Sequence, residues 1–238
     1  MVDLEGKVAV VTGGSRGIGR AVVEALLEHG ARVAFSARTG RDVDAVAEQL
    51  ERRFPSRARG LVADAREEGD CARLVAEAVS AFGRLDILVN NAGVGVFTPL
   101  AEMSTEAWRR QLATNLDGVF FTSRAAIPHL KASGDAWIVN IGSLAGRNAI
   151  VGGTAYNATK FGLVGLSEAL MLEVRHDGIR VTCVMPGSVA TEFADGDASG
   201  DWKLTPGDIA RVVLDLLAFP ARALPSRVEI RPSRPPRK

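Results

Sequence analysis

The sequence predicts an α/β protein built on a doubly wound parallel sheet with helices on both faces. Three observations carry this expectation. Short runs rich in Val, Ile and Leu alternate with longer amphipathic stretches, the runs are apolar nearly throughout, and a Gly13-x-x-x-Gly17-x-Gly19 turn joins the first run to the first helical stretch. Near-continuous apolar strands belong to sheets buried on both faces, and a helix after each strand makes such a sheet parallel.

In order, Lys7–Thr12 (KVAVVT) reads as the first strand and Gly17–Gly30 as the helix behind the glycine turn. Strand Arg32–Ala37 and helix Arg41–Phe54 repeat the unit, and strand Ala58–Ala63 with helix Glu67–Phe82 repeats it again. Strand Leu85–Val89 leads to a long helical pattern over Thr105–Ala132, and strand Trp137–Ile141 to another over Thr154–Asp177. Strand Arg180–Val184 follows, then a helix over Thr205–Leu217 with Pro206 in its first turn, where a missing N–H costs nothing. Arg227–Arg231 is the last strand. With no internal repeat and no dividing linker, the 238 residues form one Rossmann-type domain, and 47% hydrophobic residues are ample for its core.

A formal charge of +1, from 29 basic and 28 acidic residues spread along the chain, gives no field suited to nucleic acid or an anionic membrane. Cys71 and Cys183 lack zinc or disulfide spacing and read as packing residues in a reducing compartment. No run approaches the roughly 18–20 apolar residues that span a bilayer. The start, Met1-Val-Asp-Leu-Glu-Gly-Lys, leads directly into the first strand without a leader, so a cytoplasmic protein is expected. The basic ending reads as an edge strand followed by a frayed Pro-rich tail at 232–238, in preference to a binding arm.

Tyr156 and Lys160 carry the chemistry. Residues i and i+4 lie on one helix face about 5–6 Å apart at Cβ, so the ammonium can stabilise the phenolate. A free tyrosine with a pKa of about 10 is a poor proton donor and acceptor near neutrality, and a cation beside it is expected to lower that value toward the working pH. A solvated Tyr and Lys match this pattern by chance, so the rest of the chain decides. Gly13, Gly17 and Gly19, after a strand and before a helix, let the backbone approach a pyrophosphate at the helix N-terminus. Ser143 ends the fifth strand, at the carboxyl edge where open sheets bind ligands, and its hydroxyl can hold a substrate oxygen near Tyr156. A serine nucleophile is disfavoured because His29, His129 and His176 all sit near helix ends. Three scattered His and two separated Cys offer no metal site. Asn115 lies inside a helical pattern that Asn disfavours. Pro186-Gly187 fixes the chain after the sixth strand so that Val189 and Thr191 can meet a carboxamide.

In this order, Thr12-Gly13-Gly-Ser15-Arg16-Gly17-Ile18-Gly19, Asn90-Asn91-Ala92-Gly93, Asn115, Ser143, Tyr156/Lys160 and Pro186-Gly187 resemble the short-chain dehydrogenase/reductase family in its single-domain form, from about Gly6 to Thr191. The resemblance implies a hydride transfer between a nicotinamide and a carbonyl/secondary alcohol pair, as in carbonyl or 3-oxoacyl reductases, with pro-S stereochemistry. It assigns Tyr156 as acid/base, Ser143 to orient the substrate oxygen, Lys160 to bind ribose, and Asn115 to hold a relay water beside Lys160. It adds Asp64 and Ala65 at the adenine, and Asn91, Ala92 and Gly93 along the ribose. Asp64 as a plain helix cap stays open.

Where an NAD enzyme carries an acid after the second strand, this chain has Ala37, followed by Arg38, with Arg16 in the glycine turn. Two guanidiniums there suit a 2′-phosphate, so NADP(H) is expected, with an NAD-dependent secondary alcohol dehydrogenase as the alternative. A non-catalytic NADP(H) sensor is the competing class, and it predicts an eroded catalytic set. Val94, Val96, Phe97, Leu144, Val151, Phe193 and Trp202 are the candidate substrate walls. The acidic, small-residue segment Glu192–Asp201 is expected to be mobile and to leave the site open. Asp177 stands where ketoacyl-carrier reductases carry a basic residue, which lowers the expectation of an acyl-carrier partner. The family's Asp-Gly-Gly ending is missing, so a homodimer through the helices bearing Asn115 and Tyr156 is expected, with a homotetramer left open.

Overall fold

Strands β1 (Val8–Val11), β2 (Arg32–Ala37), β3 (Ala58–Val62), β4 (Ile87–Asn90), β5 (Ala136–Ile141), β6 (Ile179–Pro186) and β7 (Arg227–Ile230) form one parallel sheet in the order β3-β2-β1-β4-β5-β6-β7. The structure is a computed structural model that describes residues 2–195 and 199–236. Part of the segment expected to be mobile, residues 196–198, lies outside the described residues, as do 237 and 238 of the tail.

Helices α1 (Gly17–Glu28), α2 (Gly40–Arg53) and α7 (Pro206–Leu217) cover one face. Helices α3 (Glu68–Phe82), α5 (Gly118–Ser133) and α6 (Thr154–Val174) cover the other. Side chains alternate across a strand, so β1 feeds both layers. Ala9 and Val11 pack with Val22, Leu26 and Val213, while Val8 and Val10 pack with Leu74, Leu130 and Val174. A strand apolar at every position is what two covered faces require.

The order reverses at β1, which pairs with both β2 and β4. At such a switch point the neighbouring crossovers diverge and leave a crevice at the carboxyl edge. Predicted and observed elements agree closely, with two differences. The Thr105–Ala132 pattern is interrupted: α4 (Thr105–Leu112) passes through a π-helical turn at Ala113–Asp117 before α5 begins. The described residues after β7 have no regular structure; Pro232 is half-buried and, with Arg231 and Pro235, lines the crevice, while Arg231 and residues 233–236 are exposed.

Candidate active site

Two loops at the switch point are locked together by hydrogen bonds. The Asn91 side chain donates to the carbonyls of Thr12 and Gly13, both at 3.0 Å, and the Thr12 hydroxyl accepts from the backbone N–H groups of Asn91 and Ala92. Gly13 sits at φ +66, where a side chain would be strained. A Cβ on Gly19 would stand 2.1 Å from the Gly13 carbonyl oxygen, so only glycine lets α1 start this close under the turn. Helix α1 has neither a side-chain cap nor an acid in its first turn. Its leading amides therefore keep their affinity for an anion. Asn90 braces the sheet instead, donating to Ser123 Oγ and Asn140 Oδ1 at 3.0 and 2.8 Å.

The chemical end gathers on β5, α6 and the π turn. Ser143 follows β5, and its Oγ accepts from the Ala145 N–H. Tyr156 is 7% exposed, and its ring lies between Phe97 and Phe193 at centroid distances of 5.3 and 5.8 Å. Burial raises the phenol above its ordinary value of 10, and a hydrogen bond with Ser143 partly opposes this. Lys160 lies 5.8 Å from the centre of the tyrosine ring, and its ammonium donates to the Ile141 carbonyl at 3.0 Å. Complete burial lowers Lys160 to about 8, with Cys183 pulling weakly the other way. The lowering of the tyrosine expected from its lysine neighbour is not found: desolvation governs both groups and favours their neutral forms, and the neighbour that lowers the phenol is Ser143.

Asn115 occupies the π turn, in which the Gly118 N–H reaches back five residues to the Ala113 carbonyl. Such turns recur where a helix is bent to function. The Asn115 amide is engaged in three directions. Its Oδ1 accepts from the Val94 N–H at 2.8 Å, and its Nδ2 donates to the Val94 carbonyl at 2.9 Å and to Thr159 Oγ1 at 3.0 Å. A second buried amide, Gln111, stands four residues earlier and accepts from the Val96 N–H at 3.0 Å. Together they hold the loop after β4.

A cavity of about 1280 Å³ runs along these strand ends. Of the residues expected at the cofactor, Gly13, Ser15, Arg16, Gly17, Ile18, Arg38, Asp64, Ala65, Asn91, Ala92, Gly93, Pro186, Gly187, Val189 and Thr191 line it, together with Ser143, Tyr156 and Lys160. The glycine turn and the loop after β6 face each other, since a Cβ on Gly17 would stand 3.4 Å from Thr191 Cγ2. Gly19 does not line the cavity, because it is packed beneath Gly13, and Asn115 is buried behind Val94 and Gly93. Asp64 is bound by the Arg66 guanidinium and backbone N–H, which hold its carboxyl below the usual range.

Among the expected substrate walls, Val94, Phe97, Leu144, Phe193 and Trp202 line the cavity. Two do not. Val151 is fully exposed in the turn before Gly152, and Val96, half-buried, has its N–H bonded to Gln111 of α4. The sequence reading missed Asp42, Ile150, Lys203, Arg231, Pro232 and Pro235, all of which face the cavity.

Comparison with known proteins agrees with this geometry. The short chain dehydrogenase family model matches residues 7–201. The chain belongs to the short-chain dehydrogenase family. An uncharacterized oxidoreductase of Staphylococcus saprophyticus is 32% identical to this short-chain dehydrogenase over 98% of the chain and 100% of its own length. An alcohol dehydrogenase from the archaeon Thermococcus sibiricus, solved with 5-hydroxy-NADP, superposes with a TM-score of 0.90 at 28% identity, covering 98% of this chain and 99% of that one. A 3-ketoacyl-(acyl-carrier-protein) reductase from Brucella melitensis, solved with NADH, gives a TM-score of 0.88 at 28% identity and covers 97% and 99%. The protein is therefore an oxidoreductase of the short-chain type, acting between an alcohol and a carbonyl group.

Proposed function

We propose that the protein is an NADP(H)-dependent reductase of ketones or aldehydes, with Tyr156 as the general acid. The observation that carries this reading is the convergence of Ser143, Tyr156 and Lys160 on one cavity that the glycine turn also lines. The cavity suits a dinucleotide: glycines remove side chains where a pyrophosphate would lie, α1 offers an uncapped N-terminus, and one continuous space is lined both by that turn and by Tyr156. Gly13, Ser15, Gly17 and Ile18 would hold the pyrophosphate, Asp64 and Ala65 the adenine, Asn91, Ala92, Gly93 and Lys160 the ribose, and Gly187, Val189 and Thr191 the carboxamide. When bound, the nicotinamide supplies the hydride taken up by the carbonyl carbon.

The remaining work falls to the chain's own groups. Ser143 donates to the carbonyl oxygen and fixes it beside the phenol. Tyr156, kept protonated at neutral pH by burial, gives its proton to that oxygen. Lys160 retains its proton below about 8 and keeps two donors beyond the one used on Ile141. Those donors bind ribose and stabilise the phenolate left after proton transfer. Asn115 positions the loop at Val94, and one lone pair of Oδ1 remains for the relay water that restores the tyrosine proton.

Arg16 and Arg38 support NADP(H). Both line the cavity with Ala37, as do the acids Asp42 and Asp64; Asp64 feels the Arg38 charge, but its carboxyl is held chiefly by Arg66, which leaves the Arg38 guanidinium for a phosphate. The Arg16 contact with Glu192 is 3.4 Å long between largely exposed groups, so it competes weakly with a phosphate. Half-exposed Phe120, Phe161 and Leu172 on α5 and α6 support a homodimer through those helices. Two unpaired cysteines support a cytoplasmic location, and no helix among the described residues is long and apolar enough to cross a membrane. Tyr156→Phe is the deciding test: NADPH oxidation with small ketones should fall to background, while NADPH affinity stays within about threefold of wild type. Retained turnover in that variant would sink the assignment.

A further inference from the structure

The chain beyond β7 lies outside the family match, which ends at residue 201. Its course follows from strand geometry. Strand β7 runs parallel to β6 with Pro186 opposite Ile230, so the chain leaves β7 at the carboxyl edge beside Gly187, whose N–H donates to the Ile230 carbonyl at 2.8 Å. Pro232 then disfavours helical backbone at Arg231, and the chain bends at Ser233 and Arg234 beyond it.

Three contacts fix this course. A Cβ on Gly187 would meet Pro232 Cδ at 2.9 Å and Leu144 Cδ1 at 3.2 Å, so glycine is what admits the proline ring between the two loops. Glu229 receives Arg147 on one carboxylate oxygen at 2.6 Å and Arg231 on the other at 2.7 Å. Arg147 belongs to the turn that follows Ser143, so this clasp joins the chain after β7 to the loop that carries the serine. Arg231, Pro232 and Pro235 all line the cavity at this end.

We propose that residues 231–235 form a specificity wall at the Ser143–Gly187 end of the cavity, limiting the size of the group attached to the reacting carbonyl. The inference rests on the oxidoreductase reading above. Proline suits such a wall because its ring is apolar and its backbone is already restricted, so little freedom is lost when substrate packs against it. The clasp sets the wall's distance from Ser143, and substrate selection therefore depends on residues that no motif near Tyr156 predicts.

The test compares wild type, the chain lacking residues 232–238, and the full chain carrying Pro232→Ala and Pro235→Ser. Each is assayed with NADPH on methyl ketones of increasing alkyl length, and each is titrated with NADPH alone. Loss of the wall should raise the kcat/KM ratio of the longest ketone over the shortest by about tenfold, the low end for one altered apolar contact. NADPH affinity should stay within about threefold. The point variants keep the test decisive should the shortened chain fold poorly. A ratio that stays flat, or kcat/KM values that fall in step for every ketone, overturns the wall. A ratio that stays flat while NADPH affinity drops overturns it too, in favour of a cofactor contact. If wild type turns over none of the ketones, the oxidoreductase reading falls and takes the wall with it; turnover with a flat ratio strikes the wall alone.

Discussion

Burial of the Lys160 ammonium should make its contribution to stability rise between neutral and high pH, and replacing it by methionine should show this directly. Its ordinary value is 10.5 and burial lowers it to about 8. Below about 8 the lysine is protonated both folded and unfolded, and folding bears the full cost of burying the charge. As pH rises toward 10.5 the folded protein releases that proton first, the unfolded chain binds more protons, and stability increases. At about 1.36 kcal/mol for each pH unit between the two values, the cost is roughly 3 kcal/mol. Lys160→Met removes this cost but leaves the Ile141 carbonyl unpaired, a loss of about 1–3 kcal/mol. The two proteins should then lie within about 2 kcal/mol of each other at pH 7. Wild type should gain roughly 3 kcal/mol on the variant by pH 10.5. Urea unfolding followed by tryptophan fluorescence across this range measures the difference. Tyr156 is raised by burial in both proteins, while Cys183, raised by burial and lowered by the Lys160 charge, is replaced by serine in both so that its titration drops out of the comparison. Parallel stability curves would show that the ammonium is not desolvated as its burial implies.

Two further outcomes are expected. Arg38→Ala should weaken NADPH by roughly ten- to a hundredfold, the worth of one charge-assisted bond of about 1.5–3 kcal/mol, and leave NADH nearly unchanged; equal wild-type affinities for the two nucleotides would count against a 2′-phosphate site. Gln111→Leu removes the acceptor of the half-buried Val96 N–H but also a buried Nε2 that has no partner, so stability should stay within about 1 kcal/mol of wild type, while KM for ketone should rise more than NADPH weakens; a larger effect on the nucleotide would mean that the loop after β4 serves the cofactor end.

The sheet was legible because burial on both faces leaves little choice of residue. A strand such as Val8–Val11 is apolar at every position, and no helix of four residues competes with it. The positions of Ser143, Asn91 and Pro186 followed from the same fact, since each ends a strand and all the strands are parallel. The substrate walls were harder to read. Apolar character places a residue near other apolar groups without giving its direction. Val96 and Phe97 are neighbours, and only Phe97 faces the cavity, because the Val96 backbone is tied to Gln111. Val151 precedes a glycine at φ +71 and points outward from the turn, which hydrophobicity could not disclose. In the chain after β7, exposed at Arg231 and from Ser233 to Pro236, a Pro-rich composition gave no sign that Pro232 packs against Gly187 or that Arg231 joins Arg147 on Glu229.

The π turn is the clearest case of a feature half visible in the sequence. Asn115 stood out as a poor helix former, but its partner Gln111, four residues earlier, has ordinary helix propensity and gave no signal alone. As a pair they carry more information, because two buried amides on one helix face must both find backbone partners or bear the cost of desolvation. The loop after β4 supplies partners at Val94 for both ends of Asn115 and at Val96 for the Gln111 oxygen, while the buried Gln111 Nε2 has none. Lys160 and Asn91 follow the same rule, each donating to the backbone of a loop or strand beside it. A backbone carbonyl has no rotamers, so a side chain bound to one inherits its position from the sheet. Small shifts of β1, β4 or β5 would therefore be passed to the cavity without substitution of any residue that lines it, and the buried amides behind the site set its geometry as firmly as the tyrosine sets its chemistry.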